Sequence, residues 1–409
     1  MEQEELAAWL RLTLAPGIGN ITARKLLAAF GLPQAIFEQS SAALRQVVSE
    51  KQSDSLRTVP PELAALLVTT WDWLHQECTD NIRHKVLVLG DSAYPDELLR
   101  LDDPPLMLYA LGVARFKKND ALALTNTAAD ATEDEAFRPL IDTASSLAVV
   151  GSRNPTPQGA ANARRFSKAM AQAGLTIVSG LALGVDGAAH AGALEAAEKS
   201  SSAGLTVAVV GTGLDRVYPS AHRELAHRIA RHGVLISEYP LGTPPLNANF
   251  PKRNRLIAGL SNGTLVVEAA LKSGSLITAR LTTDQGKEVF AIPGSIHAAQ
   301  SHGCHLLIKQ GAKLVESAQD ILEELQWPMA TGATATNAVD DTAAAAALQT
   351  GMPADALLDA LGFDPVGLDA LQARCGLDTA DLQAQLMGLE LNGKVARLPG
   401  GLFQRQSAI

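Results

Sequence analysis

Only three cysteines occur in the 409 residues, Cys78, Cys304 and Cys375, and they stand far apart. With no CxxC pair and no Cys/His ligand spacing, neither a disulfide framework nor a structural zinc site is expected. The nine histidines form no HExxH pattern, so no metal centre of that kind is expected either. No GxxxxGK[ST] stretch is present, which removes the P-loop and the reason to expect ATP hydrolysis. No apolar run reaches the roughly 18–20 residues that span a bilayer. The first residues, Met1 to Glu5, are acidic and carry no basic start or apolar core of a signal peptide, so a cytoplasmic protein without membrane contact is expected. The chain also lacks positive charge: at a net −9 it has no global field to attract nucleic acid. Any site for a polyanion must be a local patch on an acidic body.

What is present is an apolar, glycine-rich chain, with 47% hydrophobic residues, 33 glycines and only 4% aromatics, which fits α/β units. Residues 1–80 show helical spacing in Leu6–Leu14, Ala23–Phe30 and Leu63–Leu74. Between the first two lies Pro16-Gly17-Ile18-Gly19-Asn20, which reads as a tight turn between packed helices or as a helix-hairpin-helix turn whose amides hold a phosphate. Lys85–Gly90 and Leu106–Gly112 read as strands, and residues 116–145 as an acidic, Ala/Thr-rich insert. From Leu147 onward, short apolar runs near 147–150, 175–178, 205–210, 234–236, 264–267, 288–292 and 313–315 alternate with amphipathic helices. Unbroken apolar runs alternating with helices predict a parallel sheet covered on both faces, with ligands at the carboxyl ends of its strands. Residues 329–347 read as a linker. Beyond it, three helices followed by a hairpin describe a winged helix. Its recognition helix, Thr379–Leu391, offers Gln383 and Gln385 but no cation, which suits protein contact better than DNA reading.

The candidate site residues sit where the apolar runs stop. Phe250-Pro251-Lys252-Arg253-Asn254-Arg255 sets three cations beside an aromatic at a predicted helix start, where unpaired amides add to an anion grip. Gly151-Ser152-Arg153 provides a sharp turn, a hydroxyl and a guanidinium that can hold a phosphate through two bonds, or else pair with Glu238 or Glu268. Ser179-Gly180 and Gly211-Thr212-Gly213 end two further runs, and Ser273-Gly274-Ser275 opens a helix as a cap or an anion holder. The Gly211 turn begins like a dinucleotide fingerprint, but Arg216 stands at its third glycine position, which argues against NAD. Asp186 and His190, four apart, share a helix face; with no nucleophile in reach, a structural role is the better reading.

Together these stretches resemble the DprA/Smf family of DNA-processing proteins. The matching pieces are Val149-Val150-Gly151-Ser152-Arg153, Ser179-Gly180-Leu181-Ala182 with Asp186 and His190, Gly211 to Asp215 with Tyr218-Pro219, Ser237-Glu238-Tyr239-Pro240, Phe250 to Arg255, and Val267-Glu268-Ala269 with Ser273-Gly274-Ser275. The resemblance spans about residues 85–325. It implies an extended Rossmann-type core, a helical N-terminal module of SAM or helix-hairpin-helix type over 1–84 and a winged-helix module at 350–409; the insert at 116–145 and the Ala/Thr-rich linker, bounded at 326–349, depart from the family pattern. It implies a homodimer that binds single-stranded DNA without sequence preference and loads the RecA recombinase onto it during transformation. No catalytic residue and no cofactor are implied. The family's DNA contacts lie in the blocks that here contain Arg153 and Phe250 to Arg255; with the strand-end and helix-start residues, the expected DNA contacts are Gly151, Ser152, Arg153, Ser179, Gly180, Gly211, Gly213, Phe250, Lys252, Arg253, Asn254, Arg255, Ser273 and Gly274. Two other functions stay open: a nucleotide phosphoribohydrolase, since Asn262 to Glu268 resembles a GGxGTxxE signature, and a transcription regulator, on the wing alone.

Overall fold

The computed structural model describes residues 1–77, 82–113, 142–200, 203–328, 354–363 and 365–406. Six helices come first: α1 (Gln3–Leu14), α2 (Asn20–Phe30), α3 (Pro33–Phe37), α4 (Ser41–Leu44), α5 (Glu50–Arg57) and α6 (Leu63–Leu74). The turn after α1 takes Gly17 at φ +79°, a conformation that glycine adopts without steric cost. Gln52 Nε2 donates to its Gly17 carbonyl (2.9 Å) and Ser55 Oγ to its Pro16 carbonyl (2.8 Å), so side chains of α5 fasten the turn.

The sheet follows: β1 (Arg83–Val88), α7 (Asp96–Leu99), β2 (Met107–Gly112), β3 (Ser146–Val150), α8 (Pro157–Gln172), β4 (Thr176–Ser179), α9 (Val185–Ala197), β5 (Thr206–Val209), α10 (Arg223–His232), β6 (Val234–Ser237), α11 (Asn249–Gly259), β7 (Gly263–Val266), α12 (Ser275–Asp284), β8 (Glu288–Ala291), α13 (His302–Lys309), β9 (Lys313–Leu314) and α14 (Ala318–Glu324). Its nine strands run in the order β1-β2-β6-β5-β4-β3-β7-β8-β9. The seven from β6 to β9 are parallel, while β2 is antiparallel to β6 and β1 to β2. Apolar runs fix burial but not strand direction, so this antiparallel ribbon was not legible from the pattern. The chain steps outward from β3 to β6, then returns to the other side of β3 with β7.

Alternation along β3 shows why its run is apolar throughout. Leu147 and Val149 pack with Phe166 of α8 and Ala189 of α9, while Ala148 and Val150 pack with Leu256 of α11 and Ala279 of α12. Each fully buried large apolar side chain contributes about 1.5–3 kcal/mol relative to exposure. The N-terminal helices join the sheet through a common apolar cluster that holds Trp9, Leu10 and Trp73 together with Val86, Val88 and Tyr109. At that seam Trp73 stacks on His84, ring centroids 4.3 Å apart.

Helix α11 starts at Asn249, two residues before Pro251. Pro251 is thus its third residue, still among the amides that have no intrahelical acceptor, so proline removes no bond. At the other end Lys287 Nζ donates to the carbonyls of Ala258 and Gly259, both at 3.0 Å. A cation there complements the negative end of the helix. Burial nevertheless pushes the Lys287 ammonium down to about 8.

The last unit contains α15 (Ala354–Leu361), α16 (Leu368–Cys375) and α17 (Thr379–Leu391), with strands β10 (Val366–Gly367), β11 (Val395–Leu398) and β12 (Leu402–Arg405) in the order β10-β12-β11. Its core is its own, formed by Leu357, Leu371, Leu382, Leu386 and Phe403. This is a winged helix, as the three helices and hairpin predicted. The insert expected at 116–145 lies outside the described residues up to 141, as does the linker from 329 onward. The short helices α13 and α14 escaped the sequence reading. Among the described residues no helix is long and apolar enough to cross a membrane.

Candidate nucleic-acid interface

The carboxyl ends of β3, β4 and β5 open onto a pocket. It is lined by Arg153, Gly180, Ala182, Leu183, Val210, Gly211, Thr212, Tyr218, Pro219, Phe250 and Arg253. Five of the residues singled out in the sequence thus meet in one place: Arg153, Gly180, Gly211, Phe250 and Arg253. Lys252 does not line the pocket; it is exposed on the first turn of α11, next to Arg253 in sequence.

The turn after β3 is tightly held. Ser152 N–H donates to Glu268 O (2.7 Å), and Val185 N–H donates to Ser152 O (3.1 Å). Gly184, at φ +82°, lets α9 approach the Ser152 carbonyl, where no side chain fits. The Glu268 carboxylate accepts from Thr156 N–H (2.9 Å) and Thr156 Oγ, and Thr156 in turn caps α8 at Gly159 N–H (3.0 Å). Burial raises the Glu268 proton affinity and the Thr156 bonds oppose it. Neither carboxylate that might have paired with Arg153 does so, because Glu238 goes to Arg255. Arg153 instead lies over Phe250, its Cζ 5.5 Å from the ring centroid, and Tyr218 closes on the same ring at 5.5 Å.

Arg253 forms the pocket floor. It is 4% exposed and donates through Nη1 to Val209 O (2.6 Å), and its Nε has no partner. Its guanidinium packs against Gly180, where a Cβ would overlap it. Behind it Asp186 is buried and accepts from Ala182 N–H (3.3 Å). Burial raises the Asp186 proton affinity, and the Arg253 charge opposes that. His190 Nδ1 meets Thr206 Oγ1 (2.7 Å), and burial, with His222 and Arg253, pushes its pKa down to about 3. Asp186 and His190 are therefore built into the frame, as the structural reading had it.

Several expected contacts lie elsewhere. Arg255 is turned inward: it pairs with Glu238 and with Asp103 (3.2 Å), and its side chain is 9% exposed. Three residues beyond Lys252 it lies at the margin of the buried face of α11, and a carboxylate at the end of β6 captures it. Ser179 spends its hydroxyl on Val149 O (2.6 Å) inside the sheet. Gly213 is buried beneath Pro240 and Leu241. Asn254 donates to Gly274 O (3.3 Å), and Ser273 Oγ accepts from Ser275 N–H (3.3 Å), so this group braces α11 against the start of α12. The sequence reading missed Ala182, Leu183 and Tyr218 as pocket walls. Their position just after strand ends β4 and β5 was the available signal.

Among the described residues no group of three or more His, Cys, Asp or Glu side chains is placed to hold a metal. A family model described as DNA recombination-mediator protein A matches residues 138–326, and one described as DprA winged helix domain matches 341–401. Protein Smf of Escherichia coli (strain K12) is 43% identical over 267 residues, covering 64% of this chain and 68% of that protein. Protein Smf of Synechocystis is 32% identical over 437 residues, covering 99% of this chain and 100% of that protein. The X-ray structure of DNA processing protein A (DprA) from Streptococcus pneumoniae aligns with a TM-score of 0.59 and 32% identity, covering 79% of this chain and 98% of that chain.

Proposed function

Because this chain belongs to the DprA/Smf family of DNA-processing proteins, we propose that its strand-end pocket grips single-stranded DNA irrespective of sequence. The observation that carries this reading is the meeting of Arg153, Arg253 and Phe250 in one pocket on a chain of net charge −9, with the exposed Lys252 next to Arg253 on α11. A positive, aromatic-walled recess on an acidic body attracts a polyanion to one place only. Backbone phosphates sit on Arg153 and Lys252, while a base stacks on Phe250, a contact of about 1–3 kcal/mol that any base can make. Arg253 supports the floor and adds its charge from beneath.

The wider role we assign is protection of the strand and its delivery to RecA during transformation, by a homodimer that acts as a binding protein and not as an enzyme. Two copies on one strand multiply modest single-site affinity. We divide the chain for this purpose into a helical module that ends before Arg83, where β1 starts, instead of at the expected 84, a binding core from β1 to α14, and the winged helix from α15 onward. On α17 Leu382, Leu386 and Leu389 face the core, and Met387 and Leu391 are exposed, which suits protein contact.

Fluorescence anisotropy with labelled oligonucleotides tests the site. Arg153→Ala and Lys252→Ala are each expected to weaken single-strand binding about fivefold to tenfold for every sequence, and to lower the salt slope by about 0.7. These two are better probes than Arg253→Ala, since removing a buried guanidinium disturbs the floor as well as the charge. Unchanged affinity in both variants would remove the pocket as the binding site.

A further inference from the structure

We infer that His222 is a positioning residue of this pocket, fastening together the two loops that form its facing walls; the inference rests on the single-strand reading of the site. One wall is the loop after β4, with Gly180, Ala182 and Leu183; the other carries Tyr218 and Pro219. His222 belongs to the second loop, three residues beyond Pro219, and its Nδ1 reaches across to the Leu181 carbonyl at 3.0 Å. A carbonyl only accepts, so Nδ1 carries the proton and donates it.

The residue it holds is unusual. Leu181 is buried and stands at φ +57°, a left-handed conformation that non-glycine residues seldom adopt unless their surroundings hold them there. Asp186 accepts amide protons from Gly180 and Ala182 on one side, and His222 donates to the carbonyl between them on the other. Further along, Gly187 N–H donates to Ala182 O (3.1 Å). The loop is therefore pinned at successive peptides, in the conformation that lays Gly180 beneath Arg253 and brings Leu183 to the pocket mouth.

The imidazole has a seat made for it. A Cβ built on Gly187 would lie 2.5 Å from His222 Cε1 and 2.9 Å from Nε2, so the ring occupies the space that any side chain there would fill. His222 is only half-buried, yet its one polar reach is spent on Leu181. That arrangement suits a staple between walls. Without it the Leu181 carbonyl loses its partner, and the Tyr218 wall is no longer tied to the Leu183 wall.

The test compares His222→Asn, His222→Gln and Gly187→Ala in the same anisotropy assay, with thermal midpoints recorded alongside and Arg153→Ala as control. Asparagine places an amide N–H where Nδ1–H stands; glutamine carries it to the position of Nε2. The Gln and Gly187→Ala variants are expected to bind about tenfold more weakly, the scale of one lost buried hydrogen bond, with Asn within about twofold of wild type. A role in stability alone would lower the Gln midpoint more than the Asn midpoint without separating their affinities. If Arg153→Ala weakens binding while Asn and Gln bind equally, the positioning role is wrong and the site stands. If Arg153→Ala and Gln both bind as wild type, the site falls and this inference with it.

Discussion

Alanine at position 180 is expected to weaken single-strand binding about a hundredfold, the scale of disturbing a buried charge at the centre of an interface. Gly180 has no side chain, and the Arg253 guanidinium occupies the volume where a Cβ would stand. Arg253 cannot retreat, because Val209 O holds Nη1 and Asp186 lies behind it. A methyl group therefore drives the guanidinium out of its seat or pushes the Leu181 loop away, and either change closes the pocket. Gly211→Ala provides the graded comparison. Its Cβ would stand 3.2 Å from Phe250 Cδ1, a crowding that a small ring movement relieves. Its loss is expected to stay below about tenfold. Titration of one labelled oligonucleotide with both variants checks this, and equal affinities for the two would show that Arg253 does not shape the site.

Removing Glu238 is expected to cost about 3 kcal/mol of stability, near the lower end for stripping one partner from a buried ion pair. Arg255 and Glu238 are among the most enclosed charges of the core, with side chains 9% and 5% exposed. Asp103, the remaining partner of Arg255, is more open to water, and Asp103 O also accepts from Asn20 of the N-terminal helices at 3.4 Å. Glu238→Ala leaves the guanidinium with that half-exposed carboxylate alone. The double variant Glu238→Leu with Arg255→Met removes both charges and is expected to recover to within about 1 kcal/mol of wild type. Urea unfolding, with midpoints compared at unchanged slope, measures both. A Glu238→Ala cost under about 0.5 kcal/mol would mean that this clamp does not hold α11 in place.

The same pair marks where sequence reading stops. Phe250 to Arg255 showed three cations on a helix start, and the start itself was legible, as were the strand runs and the glycines that end them. Which cation faces outward was not legible. Helical spacing puts Lys252 and Arg255 on neighbouring positions, and only the arrival of Glu238 and Asp103 from distant elements turns Arg255 inward. Ser179 illustrates the same limit: a serine at a strand end reads as an open hydroxyl until the sheet brings Val149 O within 2.6 Å. Glu268 read as a possible partner for Arg153, yet the turn after β3 places Thr156 against it. His222 carried no signal at all, since its partner lies 41 positions earlier and is a backbone carbonyl. The winged helix and the parallel core followed from local periodicity. The antiparallel β1–β2 ribbon did not, because pairing direction is a long-range property.

The measurement that tests the central claim most directly is anisotropy of one labelled sequence, single-stranded and duplex, titrated with the wild-type protein across a series of salt concentrations. Cations at the pocket predict clear single-strand preference and a log–log salt slope of about 1.4, from about 0.7 for each of the two phosphate contacts at Arg153 and Lys252. Equal affinity for both forms, or binding indifferent to salt, would contradict a single-strand grip at this pocket.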